Sequence, residues 1–306
     1  MILTVTLNAA LDVTYEVPRV DWDGVNRVAT VHRRAGGKGV NVARVLAALG
    51  QEVLVTGLAG GPTGLAVEAD LRAAGLPSAM VPIAADSRTT LVVSDTQNPS
   101  DGTRTALFNE PGPQVTDDEL RNFVTTYEAM LVDAQAVVLS GSLPRGVPAD
   151  TYARLAALAS AKGVPAIVDA DGEPLRHAPQ GRPAIVKPNA EELARAVPDG
   201  TVEEGAQALR DQGAEAVVVS MGSAGLLAVT AEGTLRARMP YKVEGNPTGA
   251  GDSLVAGLAL GLVEPSSWHD MLRTAAALGA AAVASPVAGD FDRDVFSDVH
   301  PLIEIA

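Results

Sequence analysis

The chain has 306 residues, 47% apolar and 20% charged, which suffices for a sizeable core in one large domain or one domain with an insertion. Its net charge of −14 argues against nucleic acid or an anionic membrane as main partner, and zero cysteines exclude disulfides, thiolate metal sites and cysteine nucleophiles. The opening MILTVTL lacks a signal-peptide pattern, and the longest apolar runs, Leu254–Val263 and Ala275–Ala284, are ten residues each, too short for a bilayer; a cytoplasmic protein is expected.

In chain order, Ile2–Leu7 reads as a strand, and Asn8 and Asp12 in NAALD fall just beyond its carboxyl end. Residues 13–32 alternate without an intervening helix. The run AGGKGVNVARVLAALG (35–50) is a glycine-rich turn into an amphipathic helix, with Lys38 and Asn41 in its first turn. Residues 88–109 alternate again around the turn cluster TQNPSDG, the pattern of a hairpin. With 13–32 this hairpin is expected to form a small inserted β-sheet, a lid spanning about residues 12–34 and 87–110; two ordinary edge hairpins are the plainer alternative.

From Ala136 onward, apolar strands alternate with helical stretches: AVVLS (136–140), AIVD (166–169), AIVK (184–187) and AVVVS (216–220). Strands apolar on both faces and separated by helices predict an α/β fold, a mainly parallel sheet flanked by helices. Ligands of such sheets sit beyond the carboxyl ends of the strands. That rule points at Gly141–Ser142, Ala170–Asp171, Pro188–Asn189 and Met221–Gly222.

Several familiar motifs are missing. TGAGDSL has Leu254 where a dinucleotide fingerprint needs its third glycine, and Gly37–Lys38 lacks both the upstream glycine and the following Ser/Thr of a P-loop. SMGSAG has Met221 where a nucleophile elbow needs glycine, and the four histidines show no metal-ligand spacing. Only four lysines stand against nineteen arginines, and two of them, Lys38 and Lys187, lie in the motifs GGKG and KPN.

NPTGAGDSLVAG (246–257) leads into a helix that is apolar nearly all round. Glycines 249 and 251 allow a tight turn and close approach of a ligand, and the helix start offers free N–H groups and the positive end of a dipole. Asp252 then has two readings. It is either a cap or first-turn residue that simply stabilises the helix, by roughly 0.5–2 kcal/mol, or a base that accepts a proton from a hydroxyl attacking phosphorus.

Taken together, TLNAALD, GGKGVNVARVLAALG, FNEPGP, SGSLPRG, VKPNAEEL, VSMGSAG and NPTGAGD resemble, in this order and across essentially the whole chain, the ribokinase-like (PfkB) sugar kinases. TLN…LD, GGKG and NEPGP are similar to the phosphosugar branch, which holds 1-phosphofructokinases, tagatose-6-phosphate kinases and a minor 6-phosphofructokinase. Two departures stand out: Ala9 where many relatives carry proline, and Asn246–Pro247–Thr248 where 1-phosphofructokinases carry a Ser/Thr-Val pair.

The resemblance implies one ribokinase-like domain over residues 1–306 and a cytoplasmic Mg·ATP-dependent kinase acting on a phosphorylated ketohexose. Fructose 1-phosphate comes first, tagatose 6-phosphate second and fructose 6-phosphate close behind; a non-catalytic sugar-phosphate sensor is the rival. Asp252 would be the base, with the amides of Gly249, Ala250 and Gly251 around the transferred phosphoryl. Asp12, Gly37, Gly39 and Asn41 would bind sugar hydroxyls, while Lys38, Arg88 and Arg104, with Arg27 as a further candidate, would meet the phosphate the sugar already carries. Asn189 and Glu192 would organise Mg²⁺ through water, and Lys187, Ser220 and Gly222 would lie along ATP. Arg33 and Arg34 read as surface charges. A monovalent cation and a homodimer through the β-lid are compatible with the same resemblance.

Overall fold

The computed structural model describes residues 1–95, 104–264 and 266–306, and the expected TQNPSDG turn lies outside them. A ten-stranded sheet forms the centre. Its first strand, β1 (Ile2–Thr6), lies between β4 (Val53–Gly60) and β8 (Ala136–Ser140), parallel to both. Beyond β8 come β9 (Ala166–Asp169), β10 (Ile185–Val186) and β11 (Ala216–Ser220), all parallel, and β5 (Ser78–Ile83) closes the other edge. Three antiparallel strands, β12 (Leu226–Thr230), β13 (Gly233–Arg238) and β14 (Glu304–Ile305), extend the sheet past β11. The strand expected at 184–187 is shorter because Pro183 and Pro188 bracket it, although Lys187 N–H still donates to Val168 O at 2.9 Å.

Successive residues of each central strand enter opposite layers, which explains why these strands read as unbroken apolar runs. Ile2, Val138 and Ile167 pack with α1 (Lys38–Ala48), α2 (Gly61–Ala73), α8 (Ala250–Val263), α9 (Trp268–Val283) and α10 (Arg293–Val299). Leu3, Val137 and Val168 pack on the other side with α3 (Asp117–Met130), α4 (Thr151–Ala161), α5 (Gly172–His177), α6 (Ala190–Ala196) and α7 (Val202–Asp211). The mainly parallel, helix-covered sheet expected from the sequence is present. No helix among the described residues is long and apolar enough to cross a membrane.

A separate four-stranded sheet has the order β3 (Thr30–Gly36), β2 (Ala10–Val17), β6 (Arg88–Asp95), β7 (Arg104–Asn109). Strands β2 and β3 pair antiparallel, as do β6 and β7, while β2 and β6 run parallel. The register sets Asp12 beside both Arg34 and Thr90. Because side chains alternate, Asp12, Arg34, Arg88 and Thr90 share one face, and Tyr15, Leu91, Val93 and Phe108 share the other.

Candidate active site

Helix α8 begins at Gly249, whose φ of +85° lies in the left-handed region. A side chain there would also meet Ala288 Cα at 2.8 Å, so only glycine fits. Gly249 is the N-cap and supplies no side-chain bond. Asp252 therefore does not cap the helix. It lies in the first turn, 7% exposed, and its Oδ2 accepts from Asn41 Nδ2 at 2.8 Å.

Burial, reinforced by the charge of Asp169, pushes the Asp252 carboxyl from 3.8 to about 7, although Asn41, Lys38 and Lys187 pull the other way. A carboxylate poised near neutrality suits a proton acceptor. Of the neighbouring amides, Ala250 N–H is already engaged, donating to Pro247 O at 3.2 Å. Among the described residues Gly251 and Asp252 amides have no acceptor, so Ala250 drops out of the expected amide set. Ser253 N–H closes back onto Gly249 O at 2.9 Å.

Beside this helix start, the ends of β9 and β10 build a charge cluster. Asp169, fully buried, receives Lys38 Nζ and Lys187 Nζ on the same Oδ1, each at 3.3 Å, and Ser140 Oγ donates to its Oδ2 at 3.2 Å. Burial alone would raise the Asp169 pKa, but Lys187 and then Lys38 outweigh it and hold the carboxyl below its ordinary value. Burial likewise works against the Lys38 charge; Asp169, Glu192 and Asp252 prevail and raise its pKa. Lys187 Nζ reaches the α8 start as well, 3.8 Å from where a Gly251 side chain would begin.

Asn189 and Glu192 form a reciprocal capping box on α6: Asn189 N–H donates to Glu192 Oε2, and Glu192 N–H to Asn189 Oδ1, both at 2.8 Å. Glu192 Oε1 stays outside the box, 4.0 Å from Lys38 Nζ. No cluster of three or more metal-ligating side chains occurs among the described residues. One remaining carboxylate oxygen fits a Mg²⁺ held through water, since Mg²⁺ keeps much of its hydration shell. Ser220 lies next to Asn189 through a β-bridge, and Gly222 opens a short 3₁₀ turn with φ +58°.

The polar face of the small sheet supplies a second group. Arg88 Nε donates to Asn8 O at 3.2 Å, and its guanidinium reaches Thr90 Oγ1 at 3.4 Å. Burial lifts the Asp12 carboxyl to about 6 against the pull of Arg88 and Thr90. Asn8 Nδ2 donates to Ser142 Oγ at 2.9 Å, while its buried Oδ1 has no partner. Gly37 and Gly39 let α1 start directly on β1: a side chain at 37 would meet Thr6 Cγ2 at 2.5 Å, and one at 39 would meet Val5 O at 2.8 Å.

The sequence-derived residues thus fall into two groups. Asn41, Lys38, Lys187, Asn189, Glu192 and Asp252 gather around the α8 start, and Asp12 and Arg88 share the small sheet's polar face. Lys38 belongs to the first group, although the resemblance set it with Arg88. Arg27 is exposed on the connection between β2 and β3 and makes no hydrogen bond or ion pair among the described residues. Arg104 stands opposite Asp95 in the backbone register of β7 and β6, which sets it on the face of Leu91, Val93 and Phe108 rather than that of Asp12 and Arg88. Arg34, expected as a surface charge, is partly buried and donates to Ala288 O at 3.0 Å. Asp169 escaped the reading altogether; its signal was a carboxylate closing a strand that is otherwise apolar. Its neighbour Asp171, which the strand-end rule favoured, caps α5 and pairs with Arg195 at 2.9 Å.

The sequence pattern of the pfkB family of carbohydrate kinases matches residues 6–293. Phosphofructokinase-2 from Escherichia coli, in complex with potassium, is 31% identical over 98% of both chains, with a TM-score of 0.89. The same enzyme in complex with fructose-6-phosphate superposes with a TM-score of 0.85. A possible 1-phosphofructokinase from Thermotoga maritima is 26% identical, spans all of this chain and 99% of its own, and has a TM-score of 0.88. The architecture is that of the ribokinase-like fold. With that fold, a buried carboxylate at an open helix start and a family match over nearly the whole sequence, the chain belongs to the pfkB family of carbohydrate kinases and is an ATP-dependent sugar kinase.

Proposed function

We propose that the chain transfers the γ-phosphoryl group of ATP to a hydroxymethyl group of an already phosphorylated ketohexose, fructose 1-phosphate first. The observation that carries this reading is the division of the site. One half is an anion-binding helix start with an attached base and two lysines; the other is a sheet face offering a carboxylate for hydroxyls and an arginine for a phosphate. Tagatose 6-phosphate ranks second. Fructose 6-phosphate follows closely, favoured by the likeness to an enzyme solved with that sugar.

In this reading Asp12 and the α1 start hold the sugar hydroxyls, and Arg88 meets the carried phosphate, with Arg27 as a further candidate. Arg104 is left out, because its register opposite Asp95 sets it on the other face of the small sheet. Asp252 takes the proton of the hydroxymethyl group as its oxygen attacks the γ-phosphorus in line. Asn41 fixes the Asp252 carboxylate in place. The Gly251 and Asp252 amides face the oxygens of the transferred group, because the dipole and the free donors favour negative charge there. Lys38 and Lys187 neutralise the phosphates of ATP, Lys38 being assigned to this side because it shares Asp169 with Lys187. Ser220 and Gly222 line the nucleotide. Mg²⁺, held through water by Glu192 and Asn189, would supply further charge neutralisation on the phosphates. The small sheet acts as a lid that excludes water, the competing acceptor, and its outer face joins a second copy.

The test is ADP release by purified protein, with potassium present, comparing kcat/KM on fructose 1-phosphate, tagatose 6-phosphate and fructose 6-phosphate. The highest kcat/KM is expected on fructose 1-phosphate. A phosphosugar that binds tightly while none stimulates ADP release would make the chain a sensor and overturn the kinase reaction proposed.

A further inference from the structure

Arg34 stands on β3 directly across from Asp12, on the polar face of the small sheet. Its guanidinium leaves that sheet and donates to the carbonyl of Ala288, 254 residues away in sequence, at 3.0 Å. Ala288 occupies a crowded position. It fills the space a Gly249 side chain would need, with its Cα 2.8 Å and its Cβ 2.9 Å from that point. The next residue, Gly289, has φ +77°, and a side chain there would meet Asn41 Cα and Oδ1, both at 3.0 Å. Residues 288 and 289 are therefore wedged between the starts of α1 and α8, touching the residue that orients Asp252 and the glycine that caps its helix.

Close packing makes this wedge a stiff connection, since an interior without voids transmits displacement. Arg44 keeps the base of the connection rigid from the α1 side: its guanidinium pairs with Asp70 at 2.6 Å, and Asp70 also accepts Ala35 N–H at 2.8 Å. The strand carrying Arg34 is thereby anchored immediately before it enters α1.

We propose that Arg34 is a positioning residue, a strap through which sugar binding on the small sheet and nucleotide binding at the α8 start strengthen each other. It touches no reacting atom. When the sheet settles on the sugar, Arg34 draws the Ala288 carbonyl with it, and the wedge sets Gly249, Asn41 and so Asp252. In the other direction, phosphates at the α8 start fix the wedge and hold the sheet in place. Such coupling is reciprocal by thermodynamic necessity. The inference rests on the kinase reading above, with sugar and nucleotide on opposite halves of the site.

The experiment measures the dissociation constant of a non-hydrolysable ATP analogue with and without saturating fructose 1-phosphate, or whichever phosphosugar the kinetic panel selects. In the unaltered protein the sugar is expected to tighten the analogue by at least ~5-fold, the lower end of ordinary allosteric coupling. In Arg34→Ala that enhancement is expected to fall below ~2-fold while each ligand alone binds within ~2-fold of its original affinity. Arg34→Lys, which keeps a donor for the carbonyl, is expected to hold most of the enhancement. Arg34→Met, which keeps the stem and removes the donors, replaces alanine if that variant does not fold.

Enhancement retained without the donors, absent from the unaltered protein, or no better in the lysine variant than in alanine overturns the strap. A large loss of affinity for the sugar alone also overturns it and makes Arg34 a ligand. Failure of the kinase reading registers differently, as no ADP release from the unaltered protein with any phosphosugar.

Discussion

At the scale of single residues, Asp252 is useful because its burial is incomplete in its effect. Desolvation raises its pKa only to about 7, because Asn41 and two lysines stabilise the anion. The ionised form is the base, so kcat/KM is expected to rise with pH through about 7 and to fall tenfold per pH unit below it. Asp252→Asn is expected to lower kcat by at least ~10²-fold while sugar binding is kept; an unchanged kcat removes Asp252 from the chemistry. The same group bears on stability. Its folded pKa exceeds the ordinary 3.8, so the folded state binds the extra proton, and this contribution is lost as pH rises through about 7. Asp252→Asn should therefore raise Tm at pH 8 by roughly 2–6 °C, with the gain vanishing near pH 4. Asp169 behaves oppositely: Asp169→Asn leaves two lysines facing a neutral amide, one of them only 3% exposed. A loss of ~3–5 kcal/mol in urea unfolding is expected, the range for breaking a buried pair by removing one partner. Asp252 was legible because glycines mark it; Asp169 was not, because its two cations come from motifs 131 and 18 residues away in sequence.

Among the elements, the central strands were readable from composition alone, since burial on both faces leaves little choice but Val, Ile, Leu and Ala. The alternation of 13–32 and 88–109 likewise marked the second sheet. Its pairing order was not written locally: β2 joins β6 in parallel across more than seventy residues, a non-local contact that no spacing reports. What the register creates is a close fit between β2 and the end of β3. Gly36 has no side chain because the Asp12 carboxylate occupies that space. The obstacle is the mobile end of a side chain rather than backbone, so Gly36→Ala should fold while displacing Asp12. KM for the sugar is then expected to rise roughly tenfold, about 1.4 kcal/mol of binding, with KM for ATP little changed. Equal changes in both, or none, would separate Asp12 from the sugar.

For the whole molecule, the two faces of the small sheet pose different demands. The polar face looks toward the site, and the opposite face carries Tyr15, Leu91, Val93 and Phe108, bordering a groove of about 610 Å³ that Trp22 and Val28 also line. Trp22 is 73% exposed and Phe108 51% exposed, and Val25 beside them reaches 82%. An apolar sheet face that the chain leaves open is a surface for association. Among the described residues β7 ends the sheet, so its outer edge offers a further place for pairing. The charge of −14 disfavours nonspecific self-association of the acidic main body, which leaves this largely apolar groove, where Arg19 stands with Asp21 and Asp95, as the favoured meeting point of two copies. A homodimer through the small sheet is therefore expected in sedimentation equilibrium at micromolar concentration. Trp22→Asp combined with Phe108→Asp places two carboxylates in that face and should give monomers, because each would be desolvated without a partner. The cost to the isolated fold should be slight, as both side chains are largely in solvent. Monomers already in the unaltered protein, or dimers surviving both substitutions, would show that the groove is not the contact. If dimers form there, each lid stiffens its partner, and kcat/KM should fall with dilution below the dissociation constant.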